Sequence, residues 1–214
     1  MNEEIVQLRV SRGVAHETRD QLIDDLRKVL NVPRVEETTL KGVGIPEFIQ
    51  LILDAKEWLT PLNAAAAFFV HHASKFLSSY GKKIAEKAAE ATWEDREKIK
   101  SVLQEGAVKP LRLVASAFAK AKAKISGPTQ VRVGLPIPDD YFATMLEIEE
   151  TDEVGYAIAI AYFVLKAEQI EQEIKRHAAD KGIEGAVKLT LEPGGAFVAS
   201  WYDEDYEHHQ IRIE

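Results

Sequence analysis

The chain has 214 residues, of which 46% are hydrophobic and 29% are charged, and its formal net charge is −8. That length allows one large or two small hydrophobic cores, and the composition argues against a largely disordered chain. The absence of cysteine excludes disulfides, thiolate metal ligands and a cysteine nucleophile, and it is compatible with the cytoplasmic location that we expect.

The N-terminal residues have the pattern of a β-α-β unit. Residues 4–10 predict a strand, and residues 34–40 predict a second one because β-branched side chains are frequent there. Between them, Thr18 and Gln21 have the spacing of a helix-capping box. Apolar residues then recur at helical spacing, namely Leu22, Ile23, Leu26, Val29 and Leu30.

A series of helices is predicted after this unit. Pro46 suits the first turn of a helix whose apolar stripe consists of Phe48, Leu51, Ile52, Ala55, Trp58 and Leu59. We expect Pro61 to kink or restart this helix. Residues 62–80 are almost all apolar, so we expect their helix to lie at the centre of the core and not in a membrane.

Three further segments complete the helical middle of the chain. Residues 82–91 predict a charged helical extension, and Thr92 resembles the cap of the helix that follows it. Residues 111–125 predict a basic amphipathic helix with lysines near the negative end of its dipole. Aromatic residues are scarce in it, so we expect this helix to pack against its neighbours with a solvated lysine face.

The C-terminal residues change to a pattern of strands around one long helix. Ser126-Gly127-Pro128 is the best candidate for a linker before them. The predicted order is two strands, a helix and three strands, at residues 131–135, 142–149, 152–181, 187–191, 197–202 and 209–213. We therefore predict an α+β fold with a β-α-β start, a multi-helix middle and a ββαβββ unit whose helix packs on a mainly antiparallel sheet.

Charge is distributed unevenly along the chain. Residues 1–60 carry a net charge of −3, residues 61–128 carry +6 and residues 129–214 carry −11. A surface with the last of these charges disfavours nucleic acid and attracts basic partners. We predict two units, residues 1–125 and residues 129–214, whose opposite charges favour packing into one globule.

The most distinctive cluster in the sequence is acidic and aromatic. Trp201 and Tyr202 precede the run Asp203-Glu204-Asp205-Tyr206-Glu207, which His208 and His209 follow. Carboxylates and imidazoles are metal ligands, but adjacent strand residues point to opposite faces and the run lacks the spacing of an EF-hand. We therefore predict no metal site here. The run is either a partner-facing acidic patch or a solvated hairpin turn.

Other candidate sites have weaker patterns. His71 and His72 are adjacent, whereas metal-binding histidines on a helix are four residues apart, so we expect both to be buried and hydrogen-bonded. Gly42-Val43-Gly44 precedes a predicted helix but lacks the third glycine of a nucleotide-binding loop. No serine lies in a nucleophile-elbow pattern. We predict no catalytic residue and no cofactor.

These observations favour a non-enzymatic protein-binding module that acts through an acidic surface on residues 129–214. A neutralising immunity or antitoxin-type protein is its most concrete form, since such a role needs charge complementarity and aromatic anchors. The candidate contacts are Trp201, Tyr202, Asp203, Glu204, Asp205 and Tyr206. We expect a protein partner with a basic surface, and neither nucleic acid nor a membrane.

Two alternatives remain open at this point. The first is an enzyme in which His71 and His72 face the sheet, assisted by an acid such as Asp54 or Glu57. The second is a regulatory or sensor domain that uses the N-terminal β-α-β unit.

Overall fold

The computed structural model describes most of the chain, with short gaps between elements. The described residues are 6–30, 34–38, 47–53, 56–85, 89–126, 129–136, 143–148, 152–178, 182–192 and 195–214. Their strands are β1 (Val6–Ser11), β2 (Arg34–Thr38), β3 (Glu47–Leu53), β4 (Thr129–Pro136), β5 (Ala143–Ile148), β6 (Glu184–Leu191), β7 (Phe197–Tyr202) and β8 (His208–Ile213). Their helices are α1 (His16–Arg27), α2 (Lys56–Ala85), α3 (Ala89–Leu103), α4 (Lys109–Lys124) and α5 (Glu153–Ala178), with a short 3-10 helix, Gly106–Val108, before α4.

The eight described strands form one mixed sheet in the order β2-β1-β3-β4-β5-β6-β7-β8. Neighbouring strands are parallel where helices join them: β1 to β2 through α1, β3 to β4 through α2, α3 and α4, and β5 to β6 through α5. The other four pairs are antiparallel. The fold is α+β, as predicted, and the ββαβββ order of the C-terminal part is confirmed.

An apolar row crosses the sheet from β1 to β8 and forms one side of the core. The strand register places its members beside one another, namely Leu8, Leu51, Val133, Leu146, Leu189, Ala199 and Ile211. They pack in one cluster with Phe69 of α2, Phe118 of α4 and Phe163 of α5. Since α1 also packs beside α4, α4 beside α5 and α5 beside α2, the sheet and the helices share one core.

The predicted helix after Pro46 is wrong in its first part, because Glu47–Leu53 forms the strand β3. This strand lies between β1 and β4, and both its faces are buried: Phe48, Ile49, Gln50, Leu51 and Ile52 are at most 7% exposed. A strand buried on both faces has a nearly continuous apolar run, which also fits the apolar spacing of a helix. Pairing with two distant strands decides between these structures.

Helix α2 differs from the prediction in two respects. It runs without interruption from Lys56 to Ala85, so Pro61 neither ends nor restarts it. Its described side chains are buried on one face and exposed on the other. The buried ones are Leu62, Ala65, Ala66, Phe69, Ala73 and Leu77, and the exposed ones include Ala64, Ala67, His71 and His72. The helix is therefore amphipathic and lies over the core instead of at its centre.

Two predicted helix caps are also wrong. Helix α1 begins at His16 with Ala15 as its N-cap, so Thr18 lies in the first turn. Helix α3 includes Thr92, since it already begins at Ala89. The start of α5 is capped by Asp152, whose Oδ1 accepts hydrogen bonds from the backbone N–H groups of residues 154 and 155 at 2.9 and 3.1 Å.

The predicted linker lies between α4 and β4, and its residues 127–128 are outside the described part of the chain. Strand β3 pairs with β4 across it, so the sheet continues from one side of the linker to the other. Arg96 of the basic middle also contacts Asp152 of the acidic C-terminal part, with 2.5 Å between Nη2 and Oδ2. The division into two folding units stays a prediction.

Candidate functional site

The acidic run forms a tight turn between β7 and β8. Two backbone hydrogen bonds close it: the N–H of Asp203 donates to the carbonyl of Glu207 at 3.1 Å, and the N–H of Tyr206 donates to the carbonyl of Asp203 at 3.0 Å. The register of the hairpin places Tyr202 opposite His208 and Trp201 opposite His209. The turn is therefore a direct continuation of a paired hairpin.

The Asp203 carboxylate holds this turn from the inside. Its Oδ1 accepts hydrogen bonds from the backbone N–H groups of Asp205 and Glu207, at 3.0 and 2.8 Å. Its Oδ2 accepts a hydrogen bond from Nε2 of His209 at 2.7 Å. The hydrogen bond from His209 and those from the two backbone groups lower the pKa of Asp203, against the opposing effect of burial. The carboxylate is ionised at neutral pH, and both its oxygens are engaged.

Trp201 supports the same cluster from the core side. It is 3% exposed, and its ring stacks on that of His209 with 5.6 Å between the centroids and 29° between the planes. The imidazole of His209 is thus fixed by the indole on one side and by the Asp203 carboxylate on the other. The sequence predicted His209 to begin the last strand, and its imidazole was weighed as a metal ligand but not as a support of the turn. Its position opposite Trp201 in a hairpin is the signal that would have identified it as part of the turn.

The predicted contact residues separate into two groups in the structure. Trp201 and Asp203 are 3% and 2% exposed, so their side chains form the support of the turn. Tyr202 and Tyr206 are 52% and 73% exposed, and Glu204 and Asp205 are exposed with them. These four exposed residues, here called the turn surface, are the part that a partner can reach.

A metal ion is the other chemistry that the cluster suggests. Asp203, Glu207 and His209 are the described residues whose ligand atoms lie close enough together for an ion, all within 4.8 Å of one another. Both oxygens of Asp203 already accept hydrogen bonds. An ion would have to displace the His209 contact, so the arrangement favours a structural role for these groups.

The structure does not place His71 and His72 as predicted. Both are exposed on α2, where the ring of His72 stacks on Phe68 at 3.9 Å and its Nδ1 donates to the Phe68 carbonyl at 2.9 Å. Exposed histidines on the outer face of a helix do not face the sheet. The possible assistants, Asp54 and the side chain of Glu57, lie outside the described part of the chain.

The remaining sequence candidate, Gly42-Val43-Gly44, lies outside the described residues. Elsewhere in the sheet, Glu147 of β5 is ion-paired on two sides, with Arg132 at 3.2 Å and with Lys188 at 2.6 Å. Its charge is therefore balanced within the sheet.

Comparisons with protein-family models, with curated proteins and with solved structures find no match to the chain. Among the described residues, no helix is both long and apolar enough to cross a membrane.

Proposed function

We propose that this chain is a non-enzymatic protein-binding module and that the turn surface is its contact site. The observation that carries the proposal is a pair of exposed tyrosines, Tyr202 and Tyr206, beside exposed carboxylates on a turn that internal hydrogen bonds hold in place. Tyrosine provides a large contact area with little conformational freedom to lose, and it is enriched in binding hot spots.

The charge of the turn surface indicates the chemistry of the partner. Glu204 and Asp205 are exposed, and the neighbouring Glu207 is exposed as well. The charge of Asp203 is directed inward, where it accepts hydrogen bonds from His209 and from backbone groups. The outward charge is therefore strongly negative, and it lies on the part of the chain, residues 129–214, that carries −11. A basic protein surface is the complementary partner.

The rigidity of the turn supports binding by a preformed surface. Besides the Asp203 hydrogen bonds, the Glu204 side chain lies against Gly182 after α5, where an added Cβ would come within 2.7 Å of its Oε1. Tyr206 has a φ angle of 62°, a conformation that costs a bulky residue free energy and that recurs at functional positions. A surface ordered before binding loses less entropy when the partner arrives.

A neutralising immunity or antitoxin-type protein is the specific class that we propose. Such a protein acts by occupying a basic partner, so it needs a preformed complementary surface and no catalytic group of its own. The alternative of an enzyme depended on His71 and His72 facing the sheet. Both histidines are exposed on the outer face of α2.

Affinity capture with three immobilised proteins tests the proposal: the wild type, a variant with Glu204→Gln and Asp205→Asn, and a variant with Asp24→Asn and Glu105→Gln. The control changes one aspartate and one glutamate that are exposed elsewhere. We expect a basic protein from the source cells to bind the wild type and the control at low salt. This basic protein should not bind the turn variant at low salt. It should also no longer bind the wild type when the salt concentration is about 1 M.

A captured protein then serves as the defined partner for titration against the wild type and a Tyr206→Gly variant. Removing this tyrosine should weaken binding by roughly tenfold or more, as for other interface anchors. If the wild type, the Glu204/Asp205 variant and the Asp24/Glu105 control all capture the same proteins in the same amounts, the turn surface is not a binding site.

A further inference from the structure

A groove of about 290 Å³ lies between α1 and α4, far along the chain from the acidic turn. Both helices present a stripe of residues to it at helical spacing. Alanines 117 and 121 of α4 form part of its wall, and their small side chains leave open the space that larger residues would fill. The size is at the lower end of the range for small-molecule sites.

Asp25 lines this groove with an incompletely satisfied carboxylate. The residue is 6% exposed, and its Oδ1 accepts a hydrogen bond from Lys28 at 2.5 Å. No described residue donates a hydrogen bond to the buried Oδ2. Nζ of Lys120 forms an ion pair with this oxygen at 3.5 Å. Because buried polar atoms are normally hydrogen-bonded, Oδ2 is suited to accept a bond from a ligand.

The groove also contains two positively charged side chains, which can bind an anionic group. Lys120 and Lys124 of α4 are lining residues of the groove, and so are Thr18 and Gln21 of α1. Lys120 is 60% exposed, so its side chain is free to turn from Oδ2 towards a ligand. The hydrogen bond from Lys28 lowers the pKa of Asp25 against the opposing effect of burial, and the charge of Lys120 and a hydrogen bond with the Gln21 side chain lower it further, so this carboxyl is ionised at neutral pH.

We propose that the groove is a binding site for a small zwitterion that carries a primary ammonium and an anionic group. The ammonium donates to Oδ2 of Asp25 and replaces the long contact with Lys120. The anionic group, a carboxylate or a phosphate, lies between Lys120 and Lys124. Each charge of the ligand then meets an opposite charge of the protein, and the buried oxygen gains its missing donor.

The sequence contained one signal for this site. Asp25 lies between Leu22 and Leu26, both at most 1% exposed, so it interrupts the apolar stripe of an amphipathic helix. A carboxylate in that position is rarely buried without a partner. The position of the complementary lysines could not be read from the sequence, since it depends on how α1 packs against α4.

NMR titration of the ¹⁵N-labelled full chain tests the proposal. The probe is O-phosphoethanolamine, which has both charged groups, and the comparison probes are ethylamine and inorganic phosphate, which have one each. We expect saturable shifts at the amides of α1 and α4, with an affinity roughly tenfold higher than for either single-group probe. Asp25→Asn should reduce the affinity to that for phosphate, and Asp24→Asn, at an exposed position on the same helix, should leave it unchanged.

Ala121→Leu provides a second test that keeps every charge. It fills the groove and should abolish binding, whereas Ala123→Leu, at an exposed position of α4, should not. The proposal is overturned if the probe gives no saturable shifts, if phosphate alone binds as tightly, or if Asp25→Asn or Ala121→Leu binds like the wild type.

Discussion

Asp203 in the acidic turn and Asp25 in the groove are both more than nine-tenths buried, at 2% and 6% exposure, but their carboxylates have different surroundings. Both oxygens of Asp203 accept hydrogen bonds, from backbone N–H groups and from His209. One oxygen of Asp25 binds Lys28, and no described residue donates a hydrogen bond to the other. A saturated carboxylate fixes the backbone around it, whereas an incompletely bonded one keeps the capacity to bind a ligand.

The largest effect should come from the support of the turn. Trp201→Ala removes a buried indole that stacks on His209, and we expect it to lower the free energy of unfolding by about 3–5 kcal/mol. Tyr202→Ala, one residue further on and half exposed, should change it by about 0.5 kcal/mol at most. Urea denaturation of the two variants measures the difference. Similar losses would mean that the division into support and turn surface is incorrect.

Acid should weaken both regions. The pKa values of Asp203 and Asp25 are lower in the folded protein than the ordinary value. Their contribution to stability is therefore complete above about pH 4, the pKa of an unfolded aspartate, and is lost as the pH falls through the lower folded values. We expect unfolding free energies measured from about pH 6 down to about pH 2.5 to fall less steeply for Asp203→Asn than for the wild type. Equal slopes would contradict the saturated environment of this carboxylate.

A smaller effect is expected from Asp25→Asn. The substitution weakens the interaction with Lys28 and Lys120, and we expect a loss of about 1 kcal/mol, since both lysines are largely exposed. Thermal unfolding compares it with Asp24→Asn, which should be close to the wild type. A loss as large as that of Trp201→Ala would show that Asp25 is a structural residue of the core and not a ligand-binding group.

The smallest effect should come from Tyr206→Gly. The tyrosine is 73% exposed with a φ angle of 62°. Glycine adopts this conformation without strain but has more freedom when unfolded, so the two effects oppose each other and the free energy of unfolding should change by about 1 kcal/mol or less. The same variant should bind the partner roughly tenfold or more weakly than the wild type. A strongly destabilised variant would mean that Tyr206 supports the turn from within.

The sequence predicted the elements whose periodicity is unambiguous. In the strands from residue 129 onward, side chains alternate between core and surface. The long helix α5 lies between segments rich in turn-forming residues. The predicted order of these strands and this helix was therefore correct. Strand β3 was missed because Phe48, Leu51 and Ile52 fit both a helical stripe and a strand buried on two faces. Only the pairing with β1 and β4 distinguishes these structures, and the local sequence does not contain that information.

The sites were predictable to a smaller extent. Alternation along β7 shows that Trp201 and Tyr202 point to opposite sides, but the inward direction of Asp203 follows from the hydrogen bonds within the turn. The groove was not predicted, since it requires the packing of α1 against α4. Local patterns therefore identified the acidic cluster, while long-range contacts decide which of its residues are accessible.

The distinction between the two aspartates is tested most directly by measuring two properties in Asp203→Ala and Asp25→Ala. The first property is amide hydrogen exchange at residues 205 and 207, and the second is the affinity for O-phosphoethanolamine. We predict that Asp203→Ala accelerates exchange and leaves the affinity unchanged, and that Asp25→Ala lowers the affinity and leaves exchange unchanged. If either substitution changes both properties, or changes only the property assigned to the other, the two carboxylates do not have the separate roles described here.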